Sequence, residues 1–339
     1  MLLKFFNSNR AGLQIFILAI ALILWLHTLL NPAAPVSYDS ALAGPLGRLL
    51  VNPVTAKPGL SAFLAMMVVL CCGYLLNQLN AVYFFLKTRS LLPQLFYILI
   101  AGSLLYLRFL SPALLAALCV IVLIYRLFKS FKKDRLVFNF FDAGVLLSIA
   151  VMIYIPAVVL LPLLFITLIL FRNMVWQEWT YPWIGFCIPF LFWGSYLFLN
   201  DQPVNLMLEE FRRVFSLPGI THDYSIIQLV FYGYLAVLVV IGSFHMIRTI
   251  GIRKIQSRVF FIFFLWMFIL SVITVLIIPS AGHEIFYSGG ISLAYLVSNY
   301  FASCNNNRFN NLLLVLLAAG FVLVVADGWF GFIPGYYNF

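Results

Sequence analysis

Long apolar runs, parted by short polar or proline-bearing breaks, fill the chain. Eleven can be marked, at about 12–30, 61–85, 92–107, 113–127, 141–155, 157–171, 181–199, 226–247, 259–279, 290–303 and 312–326. A helix needs about 20 apolar residues to cross the hydrocarbon core of a bilayer. The first, second, seventh, eighth and ninth runs reach that length. The third to sixth are shorter and come as hairpins, broken at Arg108–Pro112 and at Ile155–Pro156. Backbone at such breaks must be buried in protein or line a water-filled cavity. The pattern predicts an all-α polytopic membrane protein, one integral membrane domain over 1–339, with about eleven transmembrane helices and short hairpins in the middle.

Two breaks are long. Residues 31–60 and 200–225 are expected to be loops on the non-cytoplasmic side, each carrying an interfacial helix. Those helices are placed at Ser40–Val51 and Leu206–Phe215, with Glu209, Glu210, Arg212 and Arg213 available to the polar side of the second. Run 12–30 exceeds the 7–15-residue apolar core of a secretory signal, so it is read as a span and not as a cleaved leader.

Composition narrows the class further. The chain is 64% hydrophobic and 9% charged, with mean hydropathy +1.07, where a soluble domain carries roughly 25% charged residues. The 35 Phe, 17 Tyr and 7 Trp need an apolar environment. An ordinary soluble enzyme, a disordered chain and a nucleic-acid-binding protein are excluded. The net charge of +10 is read as topology. With the N-terminus in the cytoplasm, fifteen of the twenty Lys and Arg fall inside. Only Arg48, Lys57, Arg108, Arg212 and Arg213 fall outside, as the positive-inside rule requires. The expected location is a bacterial inner membrane, N-terminus cytoplasmic and C-terminus periplasmic.

The acids split the other way: Asp39, Asp201, Glu209, Glu210, Asp223, Glu284 and Asp327 lie outside, seven of ten. Either they mark chemistry or cation binding on that face, or they fill loops that lysines leave. The five cysteines have no metal-ligand spacing and read as small packing residues. There is no phosphate-binding glycine loop, HExxH or GxSxG motif. The helix midplanes carry few ionisable groups, which argues against an ion-coupled carrier.

The stretch Phe109–Leu170 reads LSPALLAALCVIVLIYRLFK, a basic turn, then FDAGVLLSIAVMIYIPAVVLLPLLFITLIL. It resembles the core of the GT-C fold glycosyltransferases, which take sugars from polyprenyl-phosphate carriers on the outer side of the membrane. Those enzymes place an acid in a long first outside loop before an interfacial helix, and Asp39 in Ser37-Tyr38-Asp39-Ser40 matches that position. The arrangement extends over about residues 10–200. Many members carry two adjacent acids there, and this chain has one. A closer resemblance is to an uncharacterised inner-membrane family of Bacteroidota. It is carried by MLLKFFNSNR, by Leu76–Lys87 with Asn77, Gln78 and Asn80, and by Phe141-Asp142-Ala143-Gly144. Phe171-Arg172-Asn173, then Trp176-Gln177-Glu178-Trp179, Pro182 and Gly185 complete it. It implies an inner-membrane location and no chemistry.

Glycosyl transfer needs a base for the acceptor proton and cations for the departing phosphate. The resemblance makes Asp39 the base, with Arg48, Arg108, Arg212 and Arg213 as a phosphate clamp. The plainer readings are that Asp39 caps the following helix and that the arginines pair with lipid headgroups or with Glu209 and Glu210. His222-Asp223 and His283-Glu284 are further substrate-side candidates. No cofactor is expected unless these loops converge with Asp39, in which case they would hold a divalent cation. Asp142 is expected to N-cap a helix, Arg172 to pair with Glu178, and Asn77, Gln78 and Asn80 to bond between helices. His27 reads as an interfacial packing residue. The tail Asp327–Phe339 would fold back on the outer interface or dock a partner.

The function expected is a GT-C-like membrane glycosyltransferase, or a degenerate relative, using a polyprenyl-phosphate-linked sugar on the periplasmic side. The alternatives are a non-catalytic membrane scaffold of a cell-envelope complex and a lipid or small-molecule transporter. Expected partners are a membrane lipid or lipid-linked sugar and an envelope protein; nucleic acid is not expected.

Overall fold

A computed structural model describes residues 11–31, 41–83, 86, 90–131, 138–171, 176–203, 205–216, 225–249, 255–303 and 308–330. Among them the regular structure is helical, with one isolated bridge between Ala43 and Tyr154. The α-helices are α1 (Ala11–Leu30), α2 (Pro45–Thr55), α3 (Pro58–Tyr83), α4 (Leu92–Ser103), α5 (Pro112–Lys129), α6 (Phe138–Ile153) and α7 (Leu161–Phe171). Then follow α8 (Thr180–Leu199), α9 (Leu206–Ser216), α10 (Ile226–Thr249), α11 (Ile255–Ile277), α12 (Ile285–Ser303) and α13 (Arg308–Phe330).

The described residues of the eleven apolar runs are largely helical, with Leu104 and Tyr154 extended at breaks. Seven helices, α1, α3, α5, α8, α10, α11 and α13, are long and apolar enough to cross a membrane. The chain is accordingly a multi-pass membrane protein by the length and composition of its helices. The middle helices α4, α6 and α7 have 12, 16 and 11 residues. At 1.5 Å per residue even 16 residues span only about 24 Å, short of a core about 30 Å thick. α12 has 19 residues, of which 14 are buried. It packs against α4, α5, α10 and α11 and forms the centre of the bundle.

The helix breaks are satisfied by protein. At the α6–α7 break Tyr154 is extended and Pro156 opens a 3-10 turn over Ile155–Leu160. The freed Ile153 carbonyl accepts the Gly44 N–H at 3.1 Å, and the Ile155 N–H donates to Leu42 at 3.1 Å. Residues 41–44 thus supply the bonds that a broken helix loses. A side chain at Gly44 or Gly47 would run into the Met152 or Ile153 carbonyl, so glycine lets this segment close on α6. The same logic joins α6 to α8, the most extensive helix pair in the protein. Cβ atoms at Gly144 and Gly185 would overlap the Pro182 and Phe141 carbonyls, so small residues set this close approach.

Three polar expectations come out differently. Asp142 lies within α6, which begins at Phe138, so it does not cap; it pairs with Arg126 on α5 at 3.7 Å. Asn80 accepts the Leu86 N–H and donates to the Ser90 carbonyl, each at 3.2 Å, closing its own turn and not reaching another helix. Gln78 donates to Tyr74 one turn back on α3. A span made of alternating apolar types could not reveal which polar group the local turn would claim. Arg172 lies outside the described residues.

The breaks at 41–57, 104–111, 154–160, 205–216 and 278–284 are tied together and share one end of the bundle, here called the capped end. α2 and α9 lie there, linked by Arg48 and Glu210 at 2.8 Å. α9 docks through buried Val214 and through Phe211, which meets Phe190 of α8 at 6.0 Å. The opposite end is closed by an aromatic cluster in which Phe128 contacts Phe260 at 4.3 Å and Phe263 at 4.9 Å.

Candidate functional site

The capped end gathers the sequence-predicted candidates that the structure describes, and it does not bring them together as one clamp. Arg48, on α2, is in the ion pair with Glu210. Arg212 and Arg213 are exposed on α9. His283 and Glu284 are half-buried in the turn before α12, where their carbonyls accept the N–H groups of Phe286 and Tyr287. Asp39 and His222, with Asp223, lie outside the described residues. Among the described residues no group of three or more His, Cys, Asp or Glu side chains could hold a metal.

Arg108 is the exception in kind. The chain leaves α4 at Leu104 in extended conformation, makes a 3-10 turn over Leu105–Arg108 and re-enters α5 behind Ser111, whose hydroxyl accepts the Leu114 N–H. Distant side chains bond its backbone: the Arg108 carbonyl accepts the Trp25 indole N–H at 2.9 Å, the Leu107 carbonyl accepts the Tyr287 hydroxyl, and Leu110 N–H donates to Ser61 at 3.0 Å. Helices α1, α3 and α12, together with α4 that precedes it, hold this turn in place.

The Arg108 side chain is 0% exposed. Its Nε donates to the Gly102 carbonyl at 3.1 Å. Both terminal nitrogens are buried without a hydrogen-bond partner. The guanidinium lies over the Trp329 ring, 5.9 Å from its centroid, and Trp329 in turn stacks on His27 at 5.8 Å and 20°. The Trp329 indole N–H and the His27 Nδ1 are likewise buried and unpartnered. Burial alone pulls the guanidinium down to about 10; it is still a cation at neutral pH, and no carboxylate among the described residues holds it up. Asp327 is also buried, two residues before Trp329.

An apolar crevice of about 670 Å³ runs to this point between α1, α4 and α13. Leu95, Phe96 and Leu99 of α4 form its floor, Phe16, Ile20 and Ile23 one wall, and α13 from Leu314 to Trp329 the other. Trp329 is common to both features, lining the crevice and carrying the arginine.

Arg108 was legible in the sequence as an outside cation at a helix break. Its partners were not. His27 reads as interfacial packing, and Trp329 as part of a tail that folds back on the outer interface or docks a partner; only the packing of both α1 and α13 on the Leu105–Arg108 turn brings them to Arg108.

No family model, curated protein or solved structure matches this chain.

Proposed function

We propose that the protein is a GT-C-like membrane glycosyltransferase, or a degenerate relative, that works on a polyprenyl-phosphate-linked sugar at the capped end. In this reading eleven helices run between the two ends of the bundle, with α4, α6 and α7 too short to cross the full hydrocarbon core, the N-terminus is cytoplasmic and the capped end faces the periplasm of a bacterial inner membrane. Asp39 is the base that takes the acceptor proton, and cations of the capped end stabilise the departing lipid phosphate.

The observation that carries the reading is Arg108, a buried guanidinium with two nitrogens free to meet a phosphate, held by four helices at that end. Preorganised cations in a dry site act on developing charge without reorganisation. The bonds of Leu42 and Gly44, which follow Asp39 closely in sequence, to the α6–α7 break at the capped end support it too. Arg48 would join the clamp only by releasing Glu210.

The test is Asp39→Asn in a cell that needs the protein. The envelope glycan profile should lose a sugar, with the protein still present in the membrane. An unchanged profile sinks the enzyme. The Arg48–Glu210 pair favours a second reading, a non-catalytic scaffold, because it leaves that arginine structural. Copurification with a fixed partner at constant stoichiometry would support it.

A further inference from the structure

We infer that the crevice between α1, α4 and α13 is a binding site for one phosphate-headed membrane lipid, its chain lying on α4 and its headgroup recognised by Arg108. The inference does not rest on glycosyl transfer and survives its failure.

Two independent features meet here. The crevice lining is almost wholly aliphatic and aromatic. From Leu314 to Trp329 it follows α13 for fifteen positions, about 22 Å of helix. That exceeds one leaflet of hydrocarbon, about 15 Å, so a lipid chain of ordinary length lies within it. α1 and α13 both pack on α4, and their walls at Ile23 and Val322 are exposed. The crevice therefore opens sideways, toward the bilayer, and not toward water.

At its head the chemistry changes sign. The crevice ends on Trp329, and behind that ring stands a cation with two unpartnered nitrogens. An unpaired charge buried this way is costly, and a charge within a membrane protein marks function more often than architecture. The acceptor that suits a guanidinium fork is a phosphate, bound through two parallel N–H···O contacts. The unpartnered indole N–H of Trp329 lies at the same place and adds a donor of the same kind, with the unpartnered His27 Nδ1 beside it. A neutral lipid would fill the apolar part and leave these donors unmet. Free phosphate would meet the donors and gain nothing from the crevice. A lipid phosphate satisfies both. Because Trp329 covers the guanidinium, headgroup entry requires the indole to turn aside.

The experiment is native mass spectrometry of the full chain in detergent, titrated separately with phosphatidic acid, with diacylglycerol of the same chains and with inorganic phosphate. Phosphatidic acid should bind at least tenfold more tightly than diacylglycerol, and inorganic phosphate should give no adduct at the same concentration. Arg108→Met should bring phosphatidic acid down to the diacylglycerol level. Ala318→Trp, at an exposed position of the crevice wall, should weaken both lipids with Arg108 intact. Equal binding of the two lipids by the unaltered protein, or equal retention of phosphatidic acid by folded Arg108→Met, overturns the inference. So does an Ala318→Trp protein that binds as before, or inorganic phosphate that binds as well as the lipid. Should Arg108→Met not fold, the lipid comparison and Ala318→Trp decide the matter. Loss of lipid binding with an Asp39-dependent glycan, or the reverse, separates this site from the proposed reaction.

Discussion

Arg108 and Arg48 show how differently one residue type behaves at two depths. Arg108 makes one hydrogen bond through Nε and stacks on Trp329, and its remaining donors are desolvated without return. An unpaired buried charge carries a desolvation cost of several kcal/mol that an apolar side chain of similar size does not. Arg108→Met should therefore melt at the same or a higher temperature than the unaltered protein in detergent free of anionic lipid. A large drop in melting temperature would make Arg108 architectural. The Arg48–Glu210 pair is partly exposed, with side chains 37% and 25% accessible. Its coupling in a double-mutant cycle should be no more than about 1 kcal/mol. A larger value would mean that α9 is held to α2 chiefly by this pair, and not by Phe211 and Val214.

At the scale of elements, proline and glycine organise the bundle. Pro156 ends α6 and Pro112 starts α5, and both breaks are visible in the sequence as the ends of apolar runs. The partners of the freed backbone are not visible, because Gly44, Trp25 and Tyr287 come from distant elements. Gly144 and Gly185 belong to the same class: two glycines in separate runs become one contact between α6 and α8. Gly144→Leu should push these helices apart and destabilise the protein by about 1–3 kcal/mol or more, read as a lowered melting temperature. An unchanged melting temperature would mean that the two helices can separate without loss. Asp142 illustrates the reverse failure. Its position after a basic turn looks like a helix cap, yet the helix begins four residues earlier, and Arg126 of α5 takes the carboxylate.

At the scale of the molecule, alternating helix directions place Lys57 and Arg212 at the capped end and Lys129 and Arg248 at the opposite end, all four exposed. Single cysteines at 57 and 212 should react with a membrane-impermeant thiol reagent from one side, and those at 129 and 248 from the other. The positive-inside bias predicts that 57 and 212 react in intact cells. Labelling of 57 and 129 from the same side would break the eleven-span topology, and the reverse sidedness would move the proposed chemistry to the cytoplasm.

Membrane class, helical fold and the positions of the breaks follow from local composition, because lipid leaves a backbone almost no choice but helix, and twenty apolar residues are needed to cross it. Charge bias along the chain carries an expectation of orientation for the same reason: it acts on each loop separately. The convergence of Arg108 with Trp329 and His27, and the crevice that ends on them, depended on something else. Lipid-facing and protein-facing positions are alike apolar here, so hydrophobicity does not say which face of a helix meets which neighbour. Helix-to-helix contacts in such a bundle are chosen by glycine clearances and by scattered polar bonds between residues far apart in the chain, and only the assembled structure brings those residues together.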